Sequence, residues 1–162
     1  MKRTAISLLL VCTSVIAAMG QAPATRAAGI GTFDKLSIVI AYYNSPQWKS
    51  VLAQKQQEKD AATRANDTAK LSELETWGNT QQDLAIQQLA GKAPIANILE
   101  VLQPAFREIE ASQHLSNIVA YPAPNAPVAT VDVTAQLLDW LHADAQTRQW
   151  ISDAHPPAPA KP

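Results

Sequence analysis

Cysteine is nearly missing from this chain of 162 residues: Cys12 is the single one, inside the apolar run Ala5 to Ala18. Once that run is set aside, no disulfide, thiolate nucleophile or cysteine metal site is available. Clustered positive charge is missing as well. No basic block of five or more occurs, and without Lys2 and Arg3 eleven basic residues face fourteen acidic ones, a net charge of −3. Nucleic acid is therefore not an expected partner, because phosphate neutralisation needs clustered Lys and Arg. Beyond residue 20 no apolar run approaches the roughly eighteen residues of a spanning helix, so stable membrane insertion is not expected.

Other absences bear on chemistry. Five scattered glycines form no phosphate-cradling loop, and no serine sits in a Gly-x-Ser-x-Gly setting. His114, His142 and His155 are far apart in sequence or lie in a weakly structured end. Three or four converging ligands are needed for a metal. The carboxylate pairs Glu73/Glu75 and Glu108/Glu110 are two residues apart and do not share a helix face. No catalytic, metal or cofactor site is expected, and the chain does not read as an enzyme.

What is present begins with an address. Lys2 and Arg3, the apolar run, and Ala18-Met19-Gly20 have the form of a secretory signal peptide over residues 1–20. A retained anchor helix is the alternative. Residues 21–28 read as a spacer, 29–152 as one domain, and 153–162 as a disordered Pro/Ala tail.

Within the domain, Ser45-Pro46 is the clearest local signal. Serine caps a helix and proline suits its first position. The predicted helix carries Trp48, Val51 and Leu52, then turns polar until Asn66-Asp67-Thr68. A second helix follows with Leu71, Leu74, Trp77, Leu84 and Leu89, and stops at Gly91. Their short connection predicts an antiparallel helical hairpin over about 46–91. Its apolar stripe is narrow and broken by Gly78, Gln81 and Gln88, so it needs support from a body or another subunit.

Pro94 is expected at the first position of a third helix with Ile95, Ile98, Leu99, Leu102, Phe106 and Ile109 at helical spacing, kinked near Pro104. The period then changes. Leu115 to Tyr121 and Val128 to Val133 read as strands joined by a stiff Pro-rich connection over 122–127. Thr134 is expected to cap a last helix with Leu137, Leu138 and Leu141. The fold class is α+β and mostly helical: a small β-strand body with a protruding antiparallel helical hairpin.

The order of these motifs, on a chain with an export signal, resembles the Skp/OmpH family of periplasmic chaperones. "IGTFDK" (residues 30–35) is similar to the family's first strand, and "NSPQWK" (44–49) to the start of its first long helix. "ILEVLQPAFREIEASQHLSNIVAY" (98–121) resembles the helix leading into the second strand, and "VDVTAQLLDWL" (131–141) the closing strand and helix. Together they cover roughly two thirds of the chain beyond the leader.

The resemblance implies a trimer, with a β body and three arms enclosing unfolded outer-membrane proteins, and no catalysis. Two features depart from the family pattern. The arms are shorter, and Arg64 and Lys70 near the tip are outnumbered by Glu58, Asp60, Asp67, Glu73, Glu75 and Asp83.

The stretch "IVIAYYNSPQW" (38–48) is open to two readings. Propensity favours a strand over Leu36 to Tyr43. The resemblance places the strand at Ile30 to Phe33, with Asp34 capping a short helix through Leu36, Val39, Ile40 and Tyr43, and that reading is preferred. Tyr42, Tyr43, Ile118, Val131, Val133, Leu137 and Leu141 are expected to pack in the body or between subunits. Trp77, Leu74, Leu71 and Trp48 are the candidate client- or partner-binding residues; packing is the plainer role for each tryptophan, Trp140 included. The expected partners are unfolded or envelope proteins and further copies of the chain. An adaptor binding one folded partner is the alternative function.

Overall fold

The computed structural model describes residues 29–121 and 130–155. The expected signal peptide, the spacer, the 122–127 connection and residues 156–162 lie outside the described residues. The described chain is mostly helical with one small parallel sheet.

Strand β1 spans Gly29–Phe33. Asp34 follows in extended conformation and its Oδ2 accepts the Ser37 N–H at 2.6 Å, which starts helix α1, Lys35–Asn44. The stretch 36–43 is therefore helical. Its β-branched residues are tolerated because the helix is buried on several sides: Ile38, Val39, Ala41 and Tyr42 all enter the core. Tertiary burial here outweighs strand propensity. Ser45, only 1% exposed, ends one helix and begins the next. Its N–H donates to the Tyr42 carbonyl, and its Oγ accepts the Trp48 N–H at 3.2 Å. Pro46 then opens α2, Pro46–Ala65.

Asn66, with φ 54°, turns the chain, and Asp67 Oδ1 accepts the Lys70 N–H to begin α3, Thr68–Leu89. The two helices are antiparallel neighbours: Trp48 stacks on Trp77 near one end, and Lys70 lies 3.9 Å from Glu58 toward the other. At 20 and 22 residues each is about 30 Å long. Gly91 (φ +70°) leads the chain out of α3, a conformation that favours glycine at helix ends.

Helix α4 is Ala96–Gln113 and begins later than its proline suggested. Ile95 occupies the cap position without a side-chain bond. Pro94 precedes the helix, and its carbonyl accepts a bond from Gln88 Nε2 at 2.7 Å. α4 runs on through Pro104. Pro104 and Glu100, whose carbonyl loses its usual N–H partner, are both exposed, where water can serve that carbonyl. The opposite stripe, Ile98, Leu102, Ala105, Phe106 and Ile109, is buried. His114 ends α4 in the left-handed region (φ 55°) and releases the chain into β2, Leu115–Ala120.

Beyond residue 129 come β3, Thr130–Asp132, and the helices α5, Thr134–Trp140, and α6, Ala145–Ala154. Thr134 does not cap α5; Val133 holds that position without a side-chain bond. The Thr134 hydroxyl instead accepts the Asp34 N–H at 3.0 Å and donates to Asp132 Oδ1 at 2.6 Å, tying the end of β1 to the end of β3. Helix α6 was not foreseen. It is capped by Asp144 on the Thr147 N–H, packs on α1, and carries helical structure to Ala154, past the expected start of the tail at 153.

The sheet order is β2-β1-β3, all parallel. Ser116 is an extra residue between the Gly29↔Leu115 and Ile30↔Asn117 pairs, and its hydroxyl donates to the Gly29 carbonyl. One face of the sheet, through Phe33, Ile118 and Val133, joins the core with Ile38, Val39, Ile98, Leu102, Leu137 and Leu141. Phe33 and Phe106 stack at 6.0 Å.

The expected body residues Tyr42, Ile118, Val133, Leu137 and Leu141 are buried there, with Tyr43 packed at the margin. Val131 is the exception. It is 40% exposed, on an edge strand only three residues long. On the sheet's other side, Asn117, Thr130 and Asp132 are exposed, Ile30 and Val119 are half-buried and the central Thr32 is buried; none belongs to the hydrophobic core. Parallel sheets are usually covered on both faces.

Candidate binding surface

The base of the α2–α3 pair is an aromatic cluster. The Tyr42 and Tyr43 rings lie 5.2 Å apart, Trp48 lies 5.7 Å from the first and 5.2 Å from the second, and Trp77 stacks on Trp48 at 6.3 Å. The Lys55 ammonium sits 5.5 Å above the Trp77 ring, a cation–π position. Burial pushes the Tyr42 and Tyr43 hydroxyl pKa values up. Ser45 and Pro46 create this cluster locally, because they turn α1 directly into α2 and bring Trp48 back onto the two tyrosines.

Below the cluster, Gln88 is 1% exposed and fully engaged. Its Oε1 accepts the Tyr43 hydroxyl at 2.8 Å, and its Nε2 donates to the Pro94 carbonyl and to Asn97 Oδ1, each at 2.7 Å. This network joins α1, α3 and the start of α4. Buried amides of this kind are costly unless every group is paired.

The four expected binding residues fall into two groups. Trp77 and Leu71 are half-buried on α3. Trp48 packs into the aromatic cluster, and Leu74 is buried (7% exposed) between the helices. Trp77 is thus half covered by Trp48 and Lys55, not fully presented on a thin helix. Trp140, the remaining tryptophan considered, packs against the core.

A groove runs along one side of the pair. Its inner part, about 220 Å³, lies between Leu52, Lys55 and Lys59 of α2 and Leu74, Trp77 and Gly78 of α3. It continues through Lys59, Leu74 and Gly78 into a wider part of about 660 Å³ beside Leu71, Glu75 and Gln82. Leu52, 44% exposed, lines the groove although it is not among the four expected binding residues. Its place one residue beyond Val51, toward the edge of the stripe, was the available signal. Ile86, Leu89 and Trp150 are further exposed large apolar residues.

The charged side chains form local pairs. Lys55 meets Glu58 at 2.9 Å, and Lys70 meets Glu73 at 2.8 Å. The Lys55 hydrogen bond lowers the Glu58 pKa, and the Glu73 bond raises that of Lys70. Both pairs face water, where such bonds contribute little. The histidines are dispersed: His114 and His142 occupy left-handed chain turns, and His155 Nε2 lies 3.3 Å from Asp34 Oδ2. Among the described residues no three His, Cys, Asp or Glu side chains group as metal ligands, and no helix is long and apolar enough to cross a membrane. Comparison of the chain with family models, with curated proteins and with solved structures finds no match.

Proposed function

We propose that this protein is a non-catalytic holdase of the cell envelope, exported to the periplasm through a cleaved signal peptide over residues 1–20. In this reading α2 and α3 form a short arm of Skp/OmpH type, and the body assembles with further copies of the chain, as a trimer. Clients are unfolded or apolar segments of envelope proteins. Nucleic acid, cofactors and stable membrane insertion have no part in it. The observation that carries the reading is the open groove on the helical pair, with a half-exposed tryptophan and an exposed leucine above an apolar floor. Exposed aromatic area on an otherwise polar element usually marks an interaction site. The order of motifs along the chain adds the resemblance to periplasmic chaperones.

The test is aggregation. An unfolded outer-membrane protein is diluted from denaturant into buffer with increasing amounts of this protein. A dose-dependent delay in light scattering is expected. Failure to delay aggregation at any ratio removes the chaperone role.

A second reading, an adaptor for one folded partner, is favoured by the packing of the groove floor. Leu74 is buried and Trp77 is stacked, so the surface is shaped in advance. A pull-down yielding one stoichiometric partner in place of a spread of unfolded clients selects it.

A further inference from the structure

The two walls of the groove carry opposite charges that do not meet. Lys59 on α2 and Glu75 on α3 both line its wide part, yet neither has an oppositely charged side chain within 4.0 Å among the described residues. In the inner part the walls differ in bulk. Leu52 on α2, 44% exposed, stands across from Gly78 on α3. A Cβ built on Gly78 meets no atom within 4 Å, and its φ is not among the positive ones, so nothing in a single chain calls for glycine there.

These differences complement one another when a second copy faces the first. A two-fold axis running along the helical pair lays α2 of each copy over α3 of the other. Residues that stand across the groove within one chain are then stacked between chains. Lys59 of each copy meets Glu75 of the other. Leu52 of each passes over Gly78 of the other, beside Trp77, into the space a side chain there would fill. A two-fold axis perpendicular to the helices would stack α2 on α2 and keep each lysine from the other copy's glutamate, so the charges select the first arrangement. It is a four-helix bundle in which every neighbour is antiparallel. The covered face, about 30 Å long and two helices wide, is roughly 600 Å² per copy, at the low end for specific complexes.

We propose that the groove is covered at rest by the helical pair of a second copy, and that a client must displace this cover. The inference rests on the binding role proposed above and adds its regulation. Pairing and client binding compete for one surface, so pairing lowers the apparent affinity for clients. The area is small and the two ion pairs face water, so the contact is reversible and adds no stable mass to the particle.

The test mixes ordinary protein with protein labelled with heavy nitrogen, refolds them together from urea, and adds a carbodiimide, which joins a lysine to a carboxylate in direct contact. Mass spectrometry of the digest is expected to find Lys59 joined to Glu75 with one light and one heavy member, the mark of a link between copies. In sedimentation, Lys59→Glu and Glu75→Lys should each weaken concentration-dependent association about tenfold. An equal mixture of the two variants should restore it, because each then meets the opposite charge at both contacts. Each variant alone should also delay client aggregation at a lower ratio than the unaltered protein, since its groove is uncovered. Absence of mixed links, with the variants and their mixture sedimenting alike, overturns the cover; if aggregation is still delayed, the holdase reading stands. Mixed links without any delay of aggregation remove the holdase and the regulation with it, and leave only an interface between copies.

Discussion

The Tyr43 hydroxyl donates to the Gln88 side-chain carbonyl over 2.8 Å, joining α1 to the last turn of α3 across 45 positions of sequence. Gln88 passes the connection on to Pro94 and Asn97 at the start of α4. These bonds, centred on the buried Gln88, tie the helical pair to the body. Replacing Gln88 with leucine leaves its three partner groups unpaired and should cost about 2–3 kcal/mol in urea unfolding. Tyr43→Phe removes a single bond and should cost about 1 kcal/mol. The double variant should lose less than the sum, because both changes act on one network.

Gly31 is required by close packing in the sheet. A Cβ there would lie 2.8 Å from Ile118 Cγ1 and 3.0 Å from Leu115 Cδ1. Gly31→Ala should therefore destabilise the body by about 1–3 kcal/mol, the usual cost of overpacking. Chemical denaturation measures it, and an unchanged midpoint would mean that β1 and β2 are less closely apposed than described.

Ser45→Ala deletes the acceptor for the Trp48 N–H at the corner between α1 and α2. The expected loss is about 1 kcal/mol, as for other helix caps. Trp48 fluorescence should also change, since the cap sets the angle at which the indole meets Tyr42 and Tyr43.

Asp144 should make the N-terminal cap of α6 acid-sensitive. Its carboxylate accepts the Thr147 backbone N–H and, secondarily, bonds the Thr147 side chain, which holds its pKa below the ordinary 3.8. A carboxyl lowered on folding contributes stability in full above its unfolded value. That contribution is lost as pH falls through the lower folded value. Helix α6 should therefore loosen below about pH 4, the range of an ordinary aspartate, as reported by the emission of Trp150. Asp144→Asn keeps a capping oxygen without the titration and should flatten that part of the pH profile.

Much of this architecture was legible because capping chemistry is local. Ser45-Pro46, Asp34, Asn66-Asp67 and Gly91 each act on neighbours within a few residues, and each punctuates the chain where the sequence placed it. Pro94 and Thr134 have equally local signatures but were drawn elsewhere by tertiary bonds, Pro94 to Gln88 and Thr134 to Asp34. Helix α6 was obscure because Trp150 and Ile151 are its only large apolar residues, too few to show a period.

The candidate site was legible only in part. Leu71, Leu74 and Trp77 mark a helical stripe, but which of them lines a groove and which is buried depends on the partner helix. Gln88 had the form of a break in that stripe, yet it is the most completely satisfied polar side chain at the base of the pair. A glutamine's partners are distant in sequence and leave no periodic trace. Gly78 likewise had the form of an interruption, and its meaning depends on the empty space beside it.

The proposed holdase requires further copies of the chain beside this one. Its sheet is covered by core on one face, its edge residue Val131 is open, and its helical pair is thin with Leu52, Ile86 and Leu89 exposed. The most direct test is the absolute mass in solution of residues 21–162, by light scattering behind a sizing column. A stable species of three chains is expected. A well-folded monomer at all concentrations would contradict it, removing any enclosed space between arms and leaving the adaptor as the function of this surface.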